Sequence, residues 1–465
     1  MIRLLRVPLV MFALLTVANS QQPYPVFEKD KVPTSELRER RSRLLGQLDP
    51  TGAAVVFTNP EHQRSNDTDF RFRPNSDFWY LTGCEEPDSA LLLVPSGITV
   101  DGARVTEVLF VNDRNPGIET WTGYRMGPEG AAKLLSIDKV VSNTRFAEVL
   151  KLVAGKPLHD ASIPVGATGG LAGMIAAYQS LPATAKKRRT SSLVGRMRVT
   201  KSPFEIKLLR KAMDASGVAH IEAMRSCEPG MREWEIGALV EYLFARQGCE
   251  ATAYGSIVGC GPNSCILHYM SNRGPMVAGK IVCMDVGGEY HGYAADITRS
   301  YPVNGKFSPE QKAIYELVLK AQLAGIDQCQ PGKPFNAPHQ AAVKVIQDGL
   351  VALGIIKNPN EVGRYFMHGT SHYVGLDVHD PQEDPILNPN CVLTVEPGIY
   401  INSGSPCDPK WWDIGIRIED CVLITTNGHE VISAMAPKTV PAIEALMKEK
   451  GLGNMPAKPY LIPKD

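Results

Sequence analysis

The sequence carries no surplus of charge: 49 lysines and arginines balance 49 aspartates and glutamates over 465 residues. No global field therefore draws the chain onto nucleic acid or an anionic membrane surface. The basic run Lys186-Lys187-Arg188-Arg189 is four residues long and reads as a solvated loop. No Cys-x-x-Cys pair occurs among the ten cysteines, which leaves a zinc knuckle or a thioredoxin-like motif without support. Tandem repeats are absent too. A chain of this size folds without disulfide staples, so most cysteines read as small buried hydrophobes, with any pairing left open. What is present is 44% hydrophobic and 21% charged residues, the balance of a soluble globular protein with a large core. The length exceeds the ~100–200 residues of one ordinary domain, so two domains are expected.

The first twenty residues read as an address. Arg3 and Arg6 precede an apolar stretch over 7–17, interrupted by Pro8 and too short to span a membrane, which takes ~20 apolar residues. Ala18-Asn19-Ser20 then places small residues before Gln21-Gln22, the pattern of a secretory signal peptide over 1–20. Cleavage near Ser20 would give a secreted or periplasmic protein. With no cysteine near the cut, no stable membrane anchor is expected.

Residues 34–48 carry leucines at helical spacing, and Ala53-Ala54-Val55-Val56-Phe57 reads as a buried strand before a polar loop through Asp69. Phe78-Trp79-Tyr80-Leu81-Thr82-Gly83, Ala90-Leu91-Leu92-Leu93-Val94-Pro95 and residues 105–111 read as further strands. Strands alternating with helical segments predict a smaller α/β domain over 30–198. Ser202-Pro203-Phe204-Glu205 opens the next unit as a capping box with proline at the first helical position. Ser308-Pro309-Glu310-Gln311 repeats that logic before a helix to about Gln330. Another helix is expected over 233–247, and strands over 280–286, 294–301, 391–401 and 414–425. Residues 200–448 therefore read as an α+β domain.

The anomaly is charge where strands should be apolar. Asp285 ends the run Ile281-Val282-Cys283-Met284, and the chain returns through Ala294-Ala295-Asp296-Ile297-Thr298. A hairpin centred between Tyr290 and His291 would set Asp285 opposite Asp296, a repulsive pair unless something positive lies between. Glu396 ends Val392-Leu393-Thr394-Val395, and Arg417 and Glu419 share a face of another strand. Four such carboxylates need compensation, because an unpaired buried charge costs several kcal/mol. With a histidine they suit a pair of hard divalent cations, which can activate water and polarise a carbonyl for amide hydrolysis. The histidines cluster in Phe366-Met367-His368-Gly369-Thr370-Ser371-His372, with His379 close by; the glycines favour loop and strand over helix.

These blocks resemble the pita-bread metallopeptidase family, in particular its aminopeptidase P branch of Xaa-Pro aminopeptidases. Arg73-Pro74-Asn75-Ser76-Asp77-Phe78-Trp79-Tyr80-Leu81-Thr82-Gly83 resembles the N-terminal domain signature. Met284-Asp285-Val286-Gly287, Asp296-Ile297-Thr298-Arg299, His368-Gly369-Thr370-Ser371-His372, Val395-Glu396-Pro397-Gly398 and Arg417-Ile418-Glu419-Asp420 resemble the catalytic blocks. The resemblance implies a pita-bread catalytic domain behind a smaller α/β domain. It implies five ligands, Asp285, Asp296, His372, Glu396 and Glu419, for two divalent ions bridged by a hydroxide, with Asp296 and Glu419 as bridging carboxylates. Manganese is the family expectation, with zinc, cobalt and iron open. Glu396 would also be the general base. His268, His368 and His379 would bind substrate, stabilise the tetrahedral intermediate and shuttle protons, while Arg417 would hold the bridging carboxylates. Expected partners are peptides with proline second and no nucleic acid; a homo-oligomer is left open. Pro74 stands where a glutamine is expected and Cys421 where a polar residue is, and neither is a ligand.

The alternatives differ in what they predict. A prolidase shares the ligands and a similar N-terminal domain but cleaves Xaa-Pro dipeptides, so the choice rests mainly on the 73–83 block. A non-catalytic pita-bread peptide-binding module, or a metal-independent creatinase, should lack part of the five-ligand set, which here is complete.

Overall fold

The computed structural model describes residues 24–454; the signal-peptide reading lies outside them. Among the described residues no helix is long and apolar enough to cross a membrane.

The N-terminal domain is built on a four-stranded sheet. Ala54–Phe57 pairs antiparallel with Ala90–Val100, which pairs antiparallel with Ala103–Val111, and Val140–Ser142 joins in parallel. The long hairpin turns at Asp101-Gly102, both with positive φ, as a tight two-residue turn requires. One stretch differs from expectation. Residues 78–83 lie not in a strand but in the helix Ser76–Thr82. Asn75 caps it by accepting from the backbone N–H groups of Asp77 and Phe78, and Gly83 closes it at φ +68°. Local capping overrides the β-like aromatic run.

The second domain starts at the capping box of Ser202 and Glu205, where both reciprocal hydrogen bonds form, and runs into the helix Pro203–Ser226. Ser308 and Gln311 cap Pro309–Asp327 in the same way. Between the helices lie short antiparallel ladders; the strand expected over 280–286 forms as Ile281–Asp285, while the three expected over 294–301, 391–401 and 414–425 are each broken. The hairpin is centred one residue later than expected, between His291 and Gly292, so Asp285 pairs with Thr298 rather than with Asp296. The strand Ile281–Asp285 ends there, and Gly288–Tyr290 belongs to another sheet. Residues 294–301 are likewise split, into Tyr293–Ala294 and Thr298–Pro302. Val392–Val395 and Gly398–Ile401 lie in different sheets, as do Ile414–Arg417 and Asp420–Thr425. Close packing forces the first break: a Cβ at Gly287 would lie 1.9 Å from the carbonyl oxygen of Ala295.

The two domains share one apolar core, in which Leu44, Phe78 and Tyr80 pack with Leu208, Ala212 and Met213. A buried polar cluster ties the same interface. Arg198 pairs with Asp77 (2.8 Å), Asp377 (2.7 Å) and Asp380 (2.5 Å), and Lys201 with Asp380 (2.9 Å). Burial would raise the Asp380 carboxyl, but Lys201 and Arg198 outweigh it and hold it below the usual range. Asp380→Ala should cost about 3–5 kcal/mol, since it strands buried Lys201 without its carboxylate; urea unfolding of the variant measures this. All ten cysteines are unpaired, and nine of them are buried.

Candidate metal centre

The breaks in the strands are what build the site. Asp285, Asp296, Glu396 and Glu419 each sit where the chain leaves one sheet for another, and all four line one cavity of about 470 Å³. His372 reaches the same cavity from the irregular segment after Met367, with its Nε2 3.3 Å from Asp296 and 3.4 Å from Glu396. Its Nδ1 lies 3.1 Å from the carbonyl of Tyr373, to which it donates, leaving Nε2 for the cavity. Asp296, His372 and Glu419 offer ligand atoms all within 4.8 Å of one another.

A ring of polar side chains holds the carboxylates. The Tyr254 hydroxyl is 2.5 Å from Asp285 and 2.7 Å from Asp296, and so joins the two strand ends that direct pairing does not. Thr298 donates to Glu419 (2.6 Å). Arg417 donates to Asp285 (2.7 Å), Thr298 (3.1 Å) and the hydroxyl of Tyr400 (2.9 Å). It therefore holds Asp285 directly and Glu419 through Thr298, rather than gripping Asp296 and Glu419 themselves.

Four carboxylates thus face one guanidinium in a buried space. Burial raises Asp285, only partly offset by Arg417, and raises Glu419 well above the usual range. It takes Glu396 up to about 7. Burial alone would depress His372, but Asp296 and Glu396 lift it to about 9. Burial comes first in the carboxyl shifts, and mutual repulsion of the carboxylates adds a deficit of positive charge. Oxygen donors with one imidazole fit hard or borderline divalent cations, and supplying such cations removes the deficit.

Three further histidines surround the cavity. His268 and His379 are exposed to it, and the His379 ring lies 4.2 Å from that of His372. His368 donates from Nδ1 to the carbonyl of Gly369 (2.7 Å) and accepts at Nε2 from Tyr400 (2.9 Å). Burial and then Arg417 lower its pKa to about 4, which keeps it neutral. All residues singled out in the sequence thus meet in one place. Tyr254, Thr298 and Tyr400 were missed, as was His339, which lies 2.9 Å from the Thr370 hydroxyl behind the histidine block. Only the closeness of Thr298 to Asp296 offered a hint.

Two family models match the chain: aminopeptidase P, N-terminal domain, over residues 37–159, and metallopeptidase family M24 over residues 207–426. A Xaa-Pro aminopeptidase of Haemophilus influenzae is 37% identical, covering 90% of this chain and 98% of its own. The chain belongs to the aminopeptidase P family. Two solved structures of the Escherichia coli aminopeptidase P, one with the inhibitor Pro-Leu and one zinc-substituted with product, each superpose with a TM-score of 0.83 at 36% identity. Each covers 90% of this chain and 99% of that one. The fold is accordingly that of aminopeptidase P, a pita-bread domain behind a smaller N-terminal domain, and membership of the M24 metallopeptidases accounts for the metal-seeking donor set.

Proposed function

We propose that the protein is a Xaa-Pro aminopeptidase, releasing the first residue of peptides that have proline second. The observation that carries this is the convergence of four carboxylates, His372 and three further histidines on one cavity. Its volume suits a short peptide end. Asp285, Asp296, His372, Glu396 and Glu419 would hold two divalent ions, with Asp296 and Glu419 shared between them. Such ions supply an activated water and a polarised scissile carbonyl. Manganese is our expectation, and zinc is open, given the zinc-substituted relative.

The chain's own groups supply the rest. Glu396 acts as general base, taking a proton on its cavity-facing carboxylate. Arg417 fixes Asp285 and polarises the Tyr400 hydroxyl, which donates to His368. That chain keeps His368 in one tautomer. His268 and His379 face the cavity, where they bind substrate and carry protons. The division into domains over 30–198 and 200–448 belongs to the same reading.

Prolidase is the second reading, and the Xaa-Pro aminopeptidases that match 90% of the chain at 37% identity weigh against it. Initial rates on Xaa-Pro dipeptides and on Xaa-Pro peptides of three or more residues separate the two. Preference for the longer peptides is expected. Exclusive cleavage of dipeptides would overturn the aminopeptidase reading, and failure on both with metal bound would overturn proline specificity.

We also infer export. The positive, apolar and small-residue pattern of the first twenty residues supports it. Intact-mass measurement of secreted or periplasmic protein should find a mature N-terminus close to Ser20. Retention of Met1 on cytoplasmic protein would count against it.

A further inference from the structure

The hairpin joining Asp285 to Asp296 turns at His291-Gly292, and His291 is 7% exposed with φ +47°. Its Nδ1 lies 2.7 Å from Glu250 Oε1, and its Nε2 lies 2.9 Å from Asp30 Oδ1. Its backbone N–H donates to the other oxygen of Glu250 (2.7 Å). Ionised carboxylates only accept hydrogen bonds. Two of them on opposite ring nitrogens therefore require both nitrogens to donate, and only the imidazolium can do that.

Asp30 lies ahead of the helix Thr34–Leu45, so this contact fastens the segment 24–33 to the catalytic domain. The other charged and titratable groups nearby come from every neighbouring element. Lys211, on the helix Pro203–Ser226, pairs with Asp30, and the Tyr290 hydroxyl donates to Asp30 (2.8 Å). Arg71 donates to the main-chain carbonyl of Glu250, and Arg73 pairs with Glu289 (2.7 Å). Trp79 covers Gly292 so closely that a Cβ there would overlap its ring.

We propose that His291, as the imidazolium, is a clasp that holds segment 24–33 on the hairpin linking Asp285 to Asp296, and that the clasp loosens when the ring loses its proton. A neutral ring donates to one carboxylate only and turns a lone pair towards the other. Burial opposes the charged ring, but the hydrogen bonds to Glu250 and Asp30 outweigh it and raise its pKa. A raised histidine is fully protonated below its ordinary value of about 6.5, and its contribution is lost as pH rises through the raised value. The clasp therefore opens on the alkaline side. None of the groups involved is one of the proposed metal ligands.

The test is the protection of residues 24–33 from trypsin cleavage after Lys29 or Lys31 in the full, metal-loaded protein between pH 6 and pH 9, corrected for the rates on an unstructured peptide of the same sequence. Loss of one charge-assisted hydrogen bond should lower protection in this segment ~10–100-fold over that range. His291→Gln should show low protection already at pH 6. His291→Lys, which keeps its charge across the range, should remove the pH dependence. Asp30→Asn, which also gives up the Lys211 ion pair, tests the segment's side should the hairpin variants fold poorly; it should lower protection at pH 6 and flatten its dependence on pH. Protection in the native protein that is flat with pH, or unchanged in Asp30→Asn, would overturn the proposal. The readout does not use the protein's own activity, so failure of the aminopeptidase reading would leave it standing.

Discussion

Replacing His372 by alanine is expected to strip metal from the protein, whereas replacing His368 is not. The two rings lie four residues apart in one segment and differ in what their nitrogens meet. His372 turns Nε2 towards Asp296 and Glu396 and anchors Nδ1 on a carbonyl. His368 has both nitrogens engaged by Gly369 and Tyr400, and its Nδ1 is 4.0 Å from Glu396. His368→Ala should therefore leave metal content near normal and lower kcat ~10²–10⁴-fold, as loss of one positioned donor or proton carrier does. His268→Ala and His379→Ala should behave alike, since both rings face the cavity. Glu396→Gln should show both defects, being ligand and base at once. Metal analysis beside steady-state kinetics on the single variants decides the matter. Metal lost from His368→Ala but kept by His372→Ala would reverse the assignment.

The carboxylates were legible because charge at the end of an apolar run is costly, and that cost is visible in one dimension. Capping boxes were legible for the same reason, since Ser202 with Glu205 and Ser308 with Gln311 are local patterns. The breaks in the strands were less so. In 391–401 the Pro397-Gly398 that follows Glu396 marks the break and was overlooked, whereas the run 414–425 keeps its β-like composition across Glu419, yet the chain changes sheet there. Nothing within the run encodes that; it follows from packing such as that of Gly287 on Ala295. A turn centred one residue later moves the partner of Asp285 by two, from Asp296 to Thr298, and separates the two carboxylates in the ladder. Tyr254 rejoins them, a residue distant in sequence whose role only the folded chain reveals. Helix Ser76–Thr82 was misread because two ends, Asn75 and Gly83, outweighed an aromatic middle. Sequence reading located the chemistry well and the geometry poorly.

Metal affinity should rise steeply with pH. In the metal-free protein burial takes Glu396 up to about 7, and its neighbouring carboxylates take His372 to about 9. At pH 6 both groups carry protons, and a ligand must shed its proton before it can bind. Binding below pH 7 should thus release up to two protons from this pair, so affinity should climb up to about 100-fold per pH unit. Between pH 7 and pH 9 Glu396 is already ionised, and this pair's share of the rise should fall to about tenfold per unit. Glu396→Gln should bring the lower limb down to that same slope. Competition against a chelator at successive pH values measures it, and a flat profile from pH 6 to pH 8 would overturn the ligand assignment. Stability carries the converse sign. A buried carboxyl with a raised pKa holds more protons folded than unfolded, so the metal-free protein loses stability as pH climbs from the ordinary carboxylate range towards the raised value. Ionised carboxylates then crowd around only Arg417 and the His372 imidazolium. Bound cations cancel that repulsion, so the gap in Tm between metal-loaded and metal-free protein should widen from pH 5 to pH 8.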